Sequence, residues 1–278
     1  MKVPSGIEKV SLSKSDMSFG PYPPLGFVPL FDAELGNGDY FGLYWPLGKE
    51  NEEPIVCDML HDEWALEPSF SSLEKFIEWL SLNDWKRGDE EVVDERLSTV
   101  IFTKAKLLYS GSDIESAIEL LNKACINFPE VSEYWHALSS QSKRVGDIER
   151  SANAALKALN SNWVFGFPAQ GVIRSLRSPQ FREALNKDPI MQRIDEFELS
   201  FGGVKENSIY PIIYECIQEY LNNEQFIDGL MLYQNYGYMM YSETGAFQER
   251  YNFDLKSWQS DYSELCLSYL GDNRVFSS

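Results

Sequence analysis

The sequence predicts an α+β protein in which a small antiparallel sheet at the N-terminus is followed by an all-helical array. Three observations predict it. Short apolar runs separated by turn residues occupy residues 26–59, small and capping residues recur at an offset of 34 between residues 101–129 and 135–163, and helical spacing of apolar residues returns from Ile209. Strands that precede helices, rather than alternating with them, make an α+β unit and not a parallel sheet. The chain divides into residues 1–92, a repeat region with its cap at 93–200, and a C-terminal helical segment at 201–278.

In the first region, Pro21, Pro23 and Pro24 precede a strand predicted over residues 26–31, and Gly36-Asn37-Gly38-Asp39 supplies a turn, since Gly and Asn enter left-handed turns at little cost. Residues 40–45 and 54–59 are the next strands, joined by a polar loop over 47–53. Pro68-Ser69-Phe70-Ser71-Ser72 then opens a helix in which Phe70, Leu73, Phe76, Ile77 and Leu80 share a face. Ser71 or Ser72 is the expected cap and Glu74 its box partner, because the first-turn N–H groups need side-chain acceptors.

Gly36-Asn37-Gly38-Asp39-Tyr40-Phe41-Gly42-Leu43, the polar loop, a strand ending at Asp58, the acidic His61-Asp62-Glu63 and the Pro68-Ser69-Phe70 helix opening resemble the SUKH superfamily over about 55 residues. That family consists largely of bacterial immunity proteins that bind and neutralise the toxin domains of polymorphic toxin systems. The front departs from the pattern: members carry a helical segment with a Trp and an acidic residue, whereas residues 1–25 are short and Pro-rich. The resemblance implies a partner surface made of the sheet and its connecting loops. By position this points to Asp39, Tyr40, Tyr44, Trp45, Asp58, Asp62, Glu63 and Trp64. Aromatic side chains among carboxylates can anchor in pockets and pair with Lys or Arg of a basic partner. Asp39 also reads as an ordinary turn residue, and Trp64 as core.

In the middle region, Asp113 matches Asp147, Ala117 matches Ser151, Leu121 matches Ala155, Ala124 matches Ala158 and Pro129 matches Trp163 at 34 residues, while Gly111 and Gly146 differ by 35. Ile101, Ala105 and Leu108 take the places of Trp135, Ser139 and Ser142. Small residues let two helix backbones approach closely, and Gly146-Asp147 provides a turn followed by a helix start. This pattern resembles the tetratricopeptide repeat, which implies antiparallel helix pairs and binding of another macromolecule. Trp163 stands where the second repeat would carry its proline, so the array is expected to deviate there. Residues 169–176 and 179–185 read as capping helices, with Arg174, Arg177, Arg182, Lys187 and Arg193 either a solvated face or a docking site for an acidic flank or partner.

Ile209, Ile212, Ile213, Cys216, Ile217, Tyr220 and Leu221 mark an amphipathic helix. Further helices are predicted over residues 224–241 and 257–270, the latter with Trp258, Tyr262, Leu265 and Tyr269 on one side. The run Tyr233, Tyr236, Tyr238 and Tyr241 suits either a core or a partner surface, since tyrosine joins an apolar body to a polar tip.

Net charge is −19, distributed as −13 over residues 1–95, +4 over 96–194 and −10 over 195–278. Such flanks repel nucleic acid and anionic membrane and would steer a basic protein into contact. Simple solubility is the plainer reading of the same charge. No apolar run approaches the roughly 20 residues of a membrane span, and Met1 to Met17 lacks an apolar signal core, so a cytoplasmic protein is expected. Cys57, Cys125, Cys216 and Cys266 lie far apart and read as buried free thiols.

The only histidines are His61 and His136, and there is no HExxH, GxSxG, Walker loop or GxGxxG before a helix. Gly36-Asn37-Gly38 is too short to cradle a phosphate and carries Asp39 beside it. His61 near Asp58, Asp62 and Glu63 reads as a solvated loop in preference to a metal cluster. No catalytic residue, metal or cofactor is therefore expected. The functional expectation is an immunity protein that sterically blocks a basic toxin such as a nuclease; the alternative is a tetratricopeptide-type adaptor or chaperone holding a peptide of its partner.

Overall fold

The computed structural model describes residues 1–12, 20–30, 38–199 and 209–271. Phe31, the Gly36-Asn37 half of the expected turn, residues 13–17 of the leader stretch and the expected boundary at 200/201 lie outside them. An antiparallel meander opens the fold, with strands β1 (Phe27–Pro29), β2 (Tyr40–Tyr44), β3 (Ile55–Leu60) and β4 (Ala65–Phe70) in spatial order β1-β2-β3-β4. The expected sheet of three strands thus gains a fourth. Pro68-Ser69-Phe70 belongs to β4, opposite Val56 and Cys57 at a bulge, and does not open the helix. Pro68 is tolerated because β4 is an edge strand, where a missing N–H breaks no inner ladder bond. Helix α1 (Leu73–Leu82) follows, capped by Ser72, whose Oγ accepts from Lys75 N at 3.3 Å. Ser71 instead donates to Asp94 through both N and Oγ at 2.7 Å, so the expected box through Glu74 does not form.

Side chains alternate across a strand, and here both faces find a partner. Phe41, Leu43, Trp45 and Val56 pack on Leu73, Phe76, Trp79 and Leu80 of α1. Phe27, Tyr40, Tyr44, Cys57, Met59 and Leu66 turn the other way and join the main core shared with the helices. Gly42 sits on this second face beneath the Phe27 ring, where a Cβ would stand 2.2 Å from its Cζ.

The helical array begins with α2 (Ser98–Ser110), α3 (Ile114–Asn127), α4 (Ser132–Arg144) and α5 (Ile148–Leu159). Equivalent helices begin 34 residues apart. Asp113 and Asp147 cap α3 and α5, accepting from Ser116 N at 3.3 Å and Arg150 N at 3.0 Å. Ser139 and Ser151 cross α4 and α5 by reciprocal bonds, each Oγ donating to the other's carbonyl at 2.7 Å. The uneven glycine offset resolves in the backbone: Ser112 (φ 72°) and not Gly111 occupies the left-handed position of Gly146 (φ 82°).

After a 3-10 turn at Trp163–Phe165 come the short helices α6 (Gln170–Leu176), α7 (Pro179–Ala184) and α8 (Pro189–Gln192), then α9 (Tyr210–Asn222), α10 (Phe226–Tyr241), α11 (Gly245–Arg250) and α12 (Leu255–Leu270). The arginine cluster works largely inside the fold. Arg177 donates to the carbonyls of Ile194, Asp195 and Phe197, Arg182 pairs with Asp195, and Arg193 docks the acidic C-terminal segment through Glu215 and Glu219. All four cysteines are buried and free. No described helix is long and apolar enough to cross a membrane.

Candidate partner-binding site

Glu130, in the turn between α3 and α4, links the sheet to the array. It is 1% exposed and accepts from Tyr44 Oη at 2.6 Å, Leu47 N at 2.6 Å and Asn162 Nδ2 at 2.8 Å. Asn235 of α10 closes the same junction, accepting from Trp163 N at 2.9 Å and donating to Ser161 O at 2.7 Å. These polar groups are buried together because their partners arrive from three separate parts of the chain.

This junction overturns part of the partner surface expected from the sequence. Tyr44 (1%), Trp45 (0%) and Tyr40 (8%) are interior residues. Tyr44 packs on Phe128 and Phe165, Trp45 lies in the α1 core, and Tyr40 packs on Phe27, its hydroxyl pushed by burial up to about 12. With helices on both faces, the sheet has no open face for a partner. Asp58 is also buried and pairs with Arg87 Nη2 at 2.9 Å, while its Oδ1 has no hydrogen-bond partner among the described residues. Burial raises the Asp58 carboxyl above its ordinary range, and the Arg87 charge and hydrogen bond pull the other way.

The remaining four residues converge at the β3–β4 hairpin tip. Its four-residue loop is His61-Asp62-Glu63-Trp64, with Leu60 opposite Ala65. Asp39 accepts from His61 N at 2.8 Å and shares a 2.7 Å hydrogen bond with His61 Nδ1, while Asp62 approaches Nε2 at 3.0 Å. The hydrogen bond to Asp39 raises the His61 pKa above its ordinary value. Asp62, Glu63 and Trp64 are exposed.

Trp64 is the unusual member. It is 41% exposed and its backbone is left-handed at φ 55°, a conformation that costs a non-Gly residue roughly 1–2 kcal/mol. The loop holds it there through neighbours. Its indole stacks on Tyr22 (5.6 Å between centroids) and meets Tyr241 at 5.2 Å, and its carbonyl accepts from Tyr238 Oη at 2.5 Å. Tyr22 Oη bridges the hairpin base, donating to Leu60 O at 2.8 Å and Ala65 O at 3.2 Å. Phe167, 42% exposed, extends the patch against Tyr238 at 5.8 Å. Among the described residues no group of three or more His, Cys, Asp or Glu could hold a metal ion.

Sequence reasoning missed Tyr22, Phe167 and Arg87. Tyr238 and Tyr241 carried a signal in the dense tyrosine run, but nothing local connects them to a hairpin more than 170 residues earlier.

Two protein-family patterns match the chain: the YfbP N-terminal domain over residues 12–89 and the YfbP C-terminal domain over residues 200–276. The first takes in the sheet, α1 and the hairpin tip. The uncharacterized protein YfbP of Escherichia coli (strain K12) is 44% identical over 260 residues, which cover 92% of each chain.

Proposed function

The chain belongs to the YfbP family, and we propose that it works without catalysis, by holding a basic protein partner on the acidic, aromatic surface around Trp64. The observation that carries this reading is the exposed indole itself, kept in a left-handed backbone and backed by Tyr22 and Tyr241, with exposed Asp62 and Glu63 beside it. A rigid aromatic anchor with carboxylates at its rim is the composition that fills a pocket and pairs with Lys or Arg. The acidic flank of −13 over residues 1–95 would speed the encounter.

The specific form of the proposal is immunity: the bound partner is a basic toxin, such as a nuclease, and occupation of its surface blocks it. The sheet shares its core with the helices, so point substitutions separate binding from folding better than truncation does. Trp64→Ala and the pair Asp62→Lys and Glu63→Lys are to be compared with the native chain for protection of cells against a basic toxin encoded beside the gene. Binding is measured in parallel by calorimetry at low and high salt. Loss of protection together with salt-sensitive binding is expected. Unchanged protection in both variants would refute the site. Binding of a non-toxic partner through the repeat helices, with the hairpin irrelevant, would establish the adaptor role instead.

A further inference from the structure

The C-terminal helices enclose a second feature, remote in purpose from the hairpin tip. A cavity of about 480 Å3 opens between α9, α10 and the start of α12, within the size range of small-molecule sites. Its walls are aromatic: Tyr214, Tyr233, Tyr236, Tyr251, Phe253 and Trp258 all line it. The rings stand steeply to one another, Tyr214 at 74° to Tyr233 and Tyr236 at 65° to Phe253, so they form walls and not a stack. Gly237 makes the arrangement possible, since a Cβ there would lie 2.3 Å from the Trp258 ring.

Three carboxylates, Glu215, Asp254 and Asp261, complete the lining, and no Lys, Arg or His is among the residues that form it. Two of the three are already engaged. Glu215 approaches Arg193 at 3.4 Å, and Asp254 caps α12 by accepting from Ser257 N at 2.8 Å and Oγ at 2.9 Å. Asp261 has neither an ion pair nor a hydrogen bond among the described residues. The Tyr233 hydroxyl is likewise without a hydrogen bond there, although the residue is only 7% exposed.

We propose that this cavity binds a small organic cation carrying an alkylated ammonium head, with the Tyr214, Tyr233 and Tyr236 rings as its walls and Asp261 as its counter-charge. Aromatic faces attract cations through the ring quadrupole. An alkylated ammonium is weakly hydrated and gains from apolar walls, whereas a bare metal ion would need several oxygen ligands to replace its water. A neutral ligand would leave the Asp261 charge unanswered. An anion would meet three carboxylates. Burial and the nearby Asp261 charge both push the Tyr233 hydroxyl up, in keeping with a negative potential inside.

The test uses the full chain and two probes of matched shape, choline and its neutral carbon isostere 3,3-dimethylbutan-1-ol, titrated while the Trp258 indole N–H resonance is followed. Choline is expected to shift that resonance saturably and to bind about tenfold tighter than the isostere. Asp261→Asn and Tyr214→Leu alter exposed positions, so the fold should survive, and each is expected to weaken choline several-fold. Equal binding of the two probes would overturn the proposal. So would the absence of any choline shift up to about 10 mM, a concentration well above a weak site's dissociation constant, or choline affinity unchanged in both variants. None of these outcomes bears on the Trp64 surface.

Discussion

Glu130 offers the most direct test of how the sheet is joined to the helices. Replacing it by Ala removes an acceptor that holds three donors at 2.6, 2.6 and 2.8 Å in a site only 1% exposed. Each buried donor left without an acceptor costs roughly 1–3 kcal/mol. Water entering the vacated space recovers part of that, so about 3–5 kcal/mol is expected in all, a large share of a typical stability of roughly 5–15 kcal/mol. Tyr44→Phe removes one donor and leaves the other two bonded, and should cost only about 1 kcal/mol. Urea unfolding followed by tryptophan fluorescence gives both values, and amide exchange at Leu47 reports the junction itself. The Leu47 N–H is expected to exchange much faster in Glu130→Ala than in Tyr44→Phe. A loss below about 1 kcal/mol for Glu130→Ala, or equal losses for both variants, would show that the network does not join the sheet to the array.

Three further outcomes follow from the geometry. Ser112→Gly should stabilise the chain by about 1 kcal/mol and Gly146→Ala destabilise it by about as much, because both positions are left-handed; thermal melts of the two variants should move in opposite directions. In an NMR titration His61 should titrate above 6.5, and Asp39→Asn should bring it back down, since the Asp39 hydrogen bond is the main cause. Its contribution to stability is present below 6.5 and is lost as pH rises through the raised value. Asp58 behaves in the opposite sense to a salt-bridged carboxylate: burial raises its pKa, so the folded state holds the proton more tightly, and stability falls as pH climbs from the ordinary value of 3.8 through the raised one. The stability of the native chain relative to Asp58→Asn should therefore decline over that interval, as measured by urea unfolding at a series of pH values, and a flat difference would contradict the assignment.

The parts of the fold legible in the sequence are those set by local chemistry. Asp113 and Asp147 announce their helices because a capping carboxylate acts within three residues of itself. Helices α9, α10 and α12 follow from apolar spacing, which needs only one face to be buried. Strand β4 was not legible, since Pro68 and the two following serines look like a helix opening until the neighbouring strand is known to leave that edge free. Gly111 misled for a related reason: a glycine suggests the left-handed residue of a turn, but the backbone placed that conformation at Ser112.

The candidate site divides along the same line. Sequence alone determined that acidic and aromatic residues gather between residues 58 and 64, that four thiols stay free, and that helices repeat at an offset of 34. Only the tertiary structure decided that Tyr44 and Trp45 face inward while Trp64 faces out, and that Tyr22 and Tyr241 support it. The physical reason is that a strand's pattern shows which residues share a face, but not whether anything covers it. Here α1 covers one face, the helical core covers the other, and the hairpin tip is what remains in contact with water.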